Sequence, residues 1–187
     1  MNYKSIASAF AGVLFMGAAS AADITIYYSP TCPHCHHARE FISETLVYEY
    51  PSLKVTQVNV MDEANLDAFR AALAKCEYES GGVPVMVIGE KCFQGYADFM
   101  QQDVRAAIEA DMSDSDKQVA AENKAELEKD ATVFKAANAE RANAIAEYDA
   151  TAAAADAPGG SSWLFWVVLA ALVLGLGAIV VKKSSRK

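Results

Sequence analysis

Residues 22–112 read as an α/β domain of βαβαββα order, followed by a helical or disordered spacer and an apolar C-terminal run. Three observations predict this. Short apolar, β-branched runs alternate with stretches of helical spacing. Pro51, Gly81-Gly82 and Gly89 punctuate the chain where the period changes. A Cys-x-x-Cys pair falls where the first strand gives way to the first helix.

Taken in order, Met1–Ala21 has the form of a secretory signal. Lys4 supplies the positive start, Ile6 to Ala18 the apolar core, and Ala19-Ser20-Ala21 the small-residue cleavage pattern. Export, most simply into a bacterial envelope, would place the following domain where disulfides persist. Strand one is expected at about Ile24–Tyr28. Helix one starts at Cys32 or Pro33 and runs to about Tyr50, stopped by Pro51. Strand two is Lys54–Val60, alternating and β-branched. Helix two is about Glu63–Lys75, with Leu66, Phe69, Ala72 and Leu73 on one face. Strand three, Val83–Ile88, is almost wholly apolar, as a central strand should be. A turn at Gly89-Glu90 leads into strand four, Lys91–Gln94. Helix three is about Ala97–Ala110, with Phe99, Met100, Val104 and Ile108 expected inward.

Residues 113–162 change character. Ala, Glu, Asp and Lys dominate, with Val119, Leu127, Val133, Phe134 and Ile145 sparse between them. The composition favours helix, but the apolar positions keep no heptad. An acidic helical or partly disordered spacer is the leading expectation; the alternative is that part of it packs on the head. Pro158-Gly159-Gly160-Ser161-Ser162 ends it. Residues 163–181 are an apolar run of 19, long enough to span a bilayer. Trp163 and Trp166 suit the outer interface, and Lys182, Lys183, Arg186 and Lys187 in the tail, residues 182–187, suit the cytoplasmic side. This predicts a single-pass protein of the bacterial inner membrane, head in the periplasm and C-terminus in the cytoplasm. The Gly-Gly, apolar span and basic end also resemble a bacterial C-terminal sorting signal, which a protease removes.

Charge narrows the partners. Residues 23–112 carry 14 acidic and 6 basic side chains, and the whole chain has a net charge of −8. An acidic head argues against nucleic-acid binding, which needs a basic face.

The stretch Tyr28-Ser29-Pro30-Thr31-Cys32-Pro33-His34-Cys35-His36-His37 carries the chemistry. Cys32 falls at a helix start, where first-turn N–H groups and the helix dipole stabilise an anion; the thiolate is the nucleophile in disulfide exchange. Pro33 suits the first helical position, having no N–H to lose. Cys35 lies one turn on, close enough to resolve a mixed disulfide, and should be more buried. His34, as a donor or partial cation, would stabilise the reduced form and so make the disulfide more oxidising.

The Cys-Pro-His-Cys after strand one and the Gly-Val-Pro opening strand three, in this element order, resemble the thioredoxin superfamily in its glutaredoxin-sized form, over roughly residues 23–110. The resemblance implies a four-stranded mixed sheet with helices on both faces. It also implies a cis Val83–Pro84 bond beside the cysteines, with Pro33, Val83 and Pro84 forming the substrate-binding surface. An extended substrate segment would pair with the Val83 backbone as an added strand. Pro-His between the cysteines is the dipeptide of the DsbA family of periplasmic oxidases. The implied activity is thiol–disulfide oxidoreduction with Cys32 as nucleophile, Cys35 resolving and His34 tuning. No carboxylate lies six residues before Cys32, where Ile26 stands, unlike thioredoxins proper. The region matching the glutathione contacts of glutaredoxins keeps only Gly95 and Asp98 of the pattern, and no lysine occurs in Ser29-Pro30-Thr31. A protein or thiol partner in the envelope is therefore expected in place of glutathione, with no bound cofactor or metal. The apolar run 163–181 contains no cysteine, so a separate redox partner must recycle the head.

Cys76 ends helix two and Cys92 lies on strand four. A structural disulfide between them is the leading reading, ahead of two buried free thiols and of a second redox pair.

Three rivals were weighed. Cys32, Cys35 and His36 also spell a Cys-x-x-Cys-His haem-attachment pattern, with Met61, Met86 and Met100 as axial candidates. The strand before the motif and the Val-Pro strand after it weigh against this. Cys32, Cys35 and some of His34, His36 and His37 could serve copper or zinc. His36 and His37, however, are successive helical positions and diverge. An inert adaptor head is the third class, and the intact cysteine pair argues against it.

Overall fold

The computed structural model describes residues 23–151 and 153. The expected signal at 1–21, the linker at 158–162, the apolar run at 163–181 and the basic tail at 182–187 lie outside the described residues. Among the described residues no helix is long and apolar enough to cross a membrane.

The βαβαββα order of the head is observed. β1 (Ile24–Tyr28) is the central strand of a mixed sheet ordered β4-β3-β1-β2-β5. It pairs in parallel with β2 (Val55–Asn59) and antiparallel with β3 (Val85–Ile88), which pairs antiparallel with β4 (Lys91–Gln94). Alternation along the strands assigns the faces. Ile24, Ile26 and Val55 pack with Ala38, Phe41, Ile42, Leu46, Val104 and Ile108 of the helices on one face. Tyr27, Val58 and Val85 meet Phe69 and Ala72 of α3 (Leu66–Lys75) on the other.

The helix that follows the cysteine pair differs from the uninterrupted helix expected. It begins as α1 (Pro33–Phe41), widens into a π-helical turn over Ile42–Leu46, and ends as α2 (Val47–Glu49). The Ser43 hydroxyl donates to the Glu40 carbonyl at the widening (3.3 Å), the kind of side-chain competition that disturbs a helix ladder. Helix three also starts later than expected. A 3₁₀ turn, Asp98–Met100, precedes α4 (Gln101–Ile108). Phe99 in that turn is 83% exposed, against the inward orientation expected for it, because the turn does not continue the α4 periodicity.

The largest correction concerns residues 113–148. The sheet has five strands, where four were expected, and this segment does not behave as a spacer. α5 (Asp114–Lys129) packs on the head, with Ala120 joining the core cluster of the helical face. α6 (Ala131–Ala137) follows, and β5 (Ile145–Glu147) adds in parallel to β2. Contacts divide the chain after Tyr148, which moves the head's boundary from residue 112. Polar bonds secure the docking. Asn123 Nδ2 donates to the Glu49 carbonyl (3.2 Å), Lys135 pairs with Glu44 (2.7 Å), and Arg141 donates to the Val47 and Tyr50 carbonyls (3.0 and 2.7 Å). The last two satisfy carbonyls that a helix end leaves open. Beneath them Glu49, 2% exposed, accepts two bonds from Arg105 (2.7 and 2.9 Å).

Candidate active site

β1 delivers the chain to the site. Ser29 follows it, and the Cys32 N–H donates to the Ser29 carbonyl (3.2 Å), folding Pro30 and Thr31 into a turn. Cys32 is the N-cap of α1 (φ −88°, ψ 117°), and Pro33 takes the first helical position. The Cys35 N–H donates to the Cys32 sulfur at 3.4 Å, so the sulfur occupies the place an N-cap oxygen would fill. Cys32 is half-buried and Cys35 is 1% exposed. One helical turn thus converts a three-residue spacing into one accessible thiol and one enclosed thiol.

Enclosure makes the Cys35 thiol hard to ionise. Burial first, and then its bond to Cys32, push the Cys35 thiol up to about 12 from 9.0. A hydrogen bond from the Ser29 backbone and the charge of Arg39 act the other way.

The Val83–Pro84 peptide is cis and faces Cys32 from the start of β3. The Cys32 thiol donates to the Val83 carbonyl at 3.5 Å, and the Pro84 carbonyl accepts from the Gly95 N–H at 2.7 Å. Val83 is half-buried and Pro84 buried. Cys32, Pro33, Cys35, Val83 and Pro84 are therefore brought together.

The histidines are not. His34 is exposed, between the two cysteines. His36 bonds the Pro30 carbonyl through Nε2 (2.8 Å). His37 lines a depression of about 380 Å³ with Phe41, Tyr96, Asp98 and Gln101, which neither cysteine lines. Among the haem-reading methionines, Met86 is buried in β3 and Met61 is 68% exposed. Among the described residues no three His, Cys, Asp or Glu side chains gather as a metal site.

Cys76 and Cys92 form a disulfide (Cα–Cα 5.7 Å) that ties the end of α3 to the edge strand β4. Cys32 and Cys35 are free thiols.

Sequence reasoning passed over a polar cluster beside Cys35. Arg39, one turn further along α1, donates through Nε to Gln57 Oε1 (2.6 Å) and lies 4.1 Å over the Tyr28 ring. Glu147 of β5 pairs with Arg39 (3.8 Å) and accepts from the Tyr28 hydroxyl (3.3 Å). The i,i+4 spacing of Cys35 and Arg39 was available as a signal; the arrival of Glu147 from 108 residues further along the chain was not.

Comparison with protein families finds no match, and comparison with curated proteins finds none either. Among solved structures, a glutaredoxin from Archaeoglobus fulgidus is similar at 22% identity, covering 45% of this chain and 86% of that one, with a TM-score of 0.36.

Proposed function

We propose that this chain is a thiol–disulfide oxidoreductase of glutaredoxin-sized thioredoxin-like fold, acting through Cys32 and Cys35. One observation carries the reading: a half-buried cysteine caps a helix start opposite a cis X-Pro peptide, with a second, enclosed cysteine one turn behind it. In exchange, the Cys32 thiolate attacks a substrate disulfide, forming a mixed disulfide and releasing one substrate thiolate. Cys35 then attacks Cys32, closing the Cys32–Cys35 bond and releasing the second. The same steps run in reverse when the pair acts as oxidant.

The departures at Ser29-Pro30-Thr31 and around Gly95 support a protein or thiol partner over glutathione. His34 between the cysteines supports an oxidising direction, as in the DsbA-like dipeptide. The N-terminal signal pattern, the apolar run at 163–181 and the basic end support an envelope-facing head anchored by one span, recycled by a separate redox protein. The haem alternative fits this geometry poorly, since Cys35 is enclosed and the His36 ring nitrogen already meets the Pro30 carbonyl.

The test is titration of the purified full chain in glutathione redox buffers, with thiols trapped by alkylation and counted by mass. A two-thiol couple lost in both Cys32→Ser and Cys35→Ser is expected. A midpoint well above about −270 mV, the thioredoxin value, upholds the oxidising direction, and one near it overturns that direction. Absence of any couple would overturn the whole reading.

A further inference from the structure

We propose that Arg39 is a positioning residue for the resolving step: held beside the enclosed Cys35 by Tyr28, Gln57 and Glu147, its guanidinium steadies the Cys35 thiolate as the Cys32–Cys35 disulfide closes. The inference rests on the dithiol reading and adds to it a residue that no Cys-x-x-Cys pattern specifies.

The geometry is a cluster drawn from four elements. Arg39 follows Cys35 by one turn and so shares its flank of α1. Its side chain is 31% exposed, well withdrawn for an arginine. Gln57 of β2, 4% exposed, accepts from its Nε. The Tyr28 ring at the end of β1 lies beneath its plane. Both groups fix the guanidinium without cancelling its charge. Glu147 of β5 carries the opposing charge, but at 3.8 Å and 60% exposed it is screened by solvent. His36, Glu40 and Glu44 line the outer side of the same cluster with Arg39. The Cys35 N–H meets the Cys32 sulfur, and the charge of Arg39, one turn along the same helix, favours the Cys35 thiolate. Burial makes the Cys35 thiolate hard to form, so a fixed cation on its flank acts where the step is most demanding.

The step balances as written. In the mixed disulfide, Cys32 Sγ is bonded to the substrate sulfur. The Cys35 thiol loses its proton to solvent, and its sulfur attacks Cys32 Sγ. The Cys32–Cys35 bond forms, the Cys32–substrate bond breaks, and the electron pair leaves on the substrate sulfur, which takes up a proton. The cysteine pair is oxidised and the substrate sulfur reduced, with no other oxidant.

The test uses the full chain with Cys32 and Cys35 reduced and Cys76–Cys92 intact, mixed rapidly with the aromatic disulfide dithiobisnitrobenzoate. Attack by Cys32 releases a first equivalent of thionitrobenzoate; closure by Cys35 releases a second. The readout is the ratio of second-phase to first-phase rate as a function of pH. In Arg39→Met this ratio is expected to fall by up to about tenfold, and the second-phase profile to move to higher pH by up to about one unit, the thiolate fraction one pKa unit represents. Arg39→Gln, which keeps a donor for Gln57 and removes only the charge, is expected to match Arg39→Met and serves if that variant does not fold. Arg39→Lys keeps the charge and should restore most of the rate. Overturning results are a second phase in both charge-removing variants that coincides with wild type at every pH, or an Arg39→Lys as slow as Arg39→Gln. A wild-type chain that releases a single equivalent overturns the dithiol reading, and the role of Arg39 with it.

Discussion

Raising the pH on a Cys32→Ser chain should strip it of stability that its Cys35→Ala derivative keeps. Cys35 is 1% exposed, and burial, the largest cause, pushes its thiol up to about 12 from 9.0. Burial persists when Cys32 becomes serine. A thiol with a raised folded-state pKa contributes stability that is fully present below the unfolded value. That stability is lost as pH climbs through the window between the two, here from 9.0 to about 12. At about pH 8 the difference is negligible; at about pH 11 it is at most about 2–3 kcal/mol, reduced by the share of the shift that Cys32 supplies in the intact chain. The buried tyrosines also titrate at high pH, Tyr50 above all, and they do so equally in both chains. The difference between the two pH profiles therefore isolates Cys35. Urea unfolding followed by far-ultraviolet circular dichroism at a series of pH values gives the two curves, and unchanged slopes would show that the transition keeps its character. Curves that run parallel across the window would refute the enclosed, hard-to-ionise thiol, and with it the assignment of Cys35 as the slow, resolving partner.

Other outcomes follow from the same contacts. Arg105→Met leaves the Glu49 carboxylate, 2% exposed, without its two bonds, and should cost about 3–5 kcal/mol in urea unfolding. The Glu49→Met/Arg105→Met pair should recover much of that, and a double variant as unstable as the single would speak against a buried-charge penalty. Replacing both Cys76 and Cys92 by serine opens a loop of 16 residues and should cost about 2–4 kcal/mol while leaving the two-step thionitrobenzoate release intact. Loss of the second step would instead make that pair part of the exchange chemistry. A chain ending at residue 112 should unfold at markedly lower urea than one ending at 148, since it gives up the docking of Ala120 and the Arg141 bonds to the Val47 and Tyr50 carbonyls. Equal midpoints would restore the spacer reading of the segment.

The head was readable from sequence because its signals are local. β-branched runs, a proline stop at Pro51 and a cysteine pair at a strand–helix junction each act over a few residues. The segment after residue 112 was not, and the reason is physical. Of its few large apolar residues, Val119 and Val133 are left 44% and 64% exposed, and Ile145 is only partly buried beside the core. The docking instead uses alanine, Ile145 of the added strand, and side chains that bond to main-chain carbonyls at the end of α2, contacts that leave no periodic trace. Phe99 misled for the opposite reason: an aromatic next to the Met100, Val104, Ile108 row looked like core, but it belongs to the 3₁₀ turn ahead of the helix. At the site itself, local spacing named Cys32, Pro33 and Cys35, whereas Val83 and Pro84 were expected beside them only through the resemblance to the thioredoxin superfamily. The Arg39 cluster could not be named, because half of it comes from strands β2 and β5.

The fifth strand bears on the redox helix through its register. Glu147 pairs with Gln57, and Gln57 is the residue that holds Arg39. A slip of one residue would turn Glu147 to the opposite face and away from the guanidinium. Ile145 opposite Val55 fixes against that slip, since the same slip would withdraw an apolar side chain from its partial burial beside the core. The carboxylate so placed is solvated and distant enough to temper Arg39 only slightly. Arg39's anchors, Gln57 and the Tyr28 ring, belong to strands that exist without β5. Stability should therefore depend on residues 113–148, whereas the ease of closing the Cys32–Cys35 bond should depend on Arg39 and its β1 and β2 partners. The appended segment strengthens the scaffold beneath the site without supplying the charge that works in it.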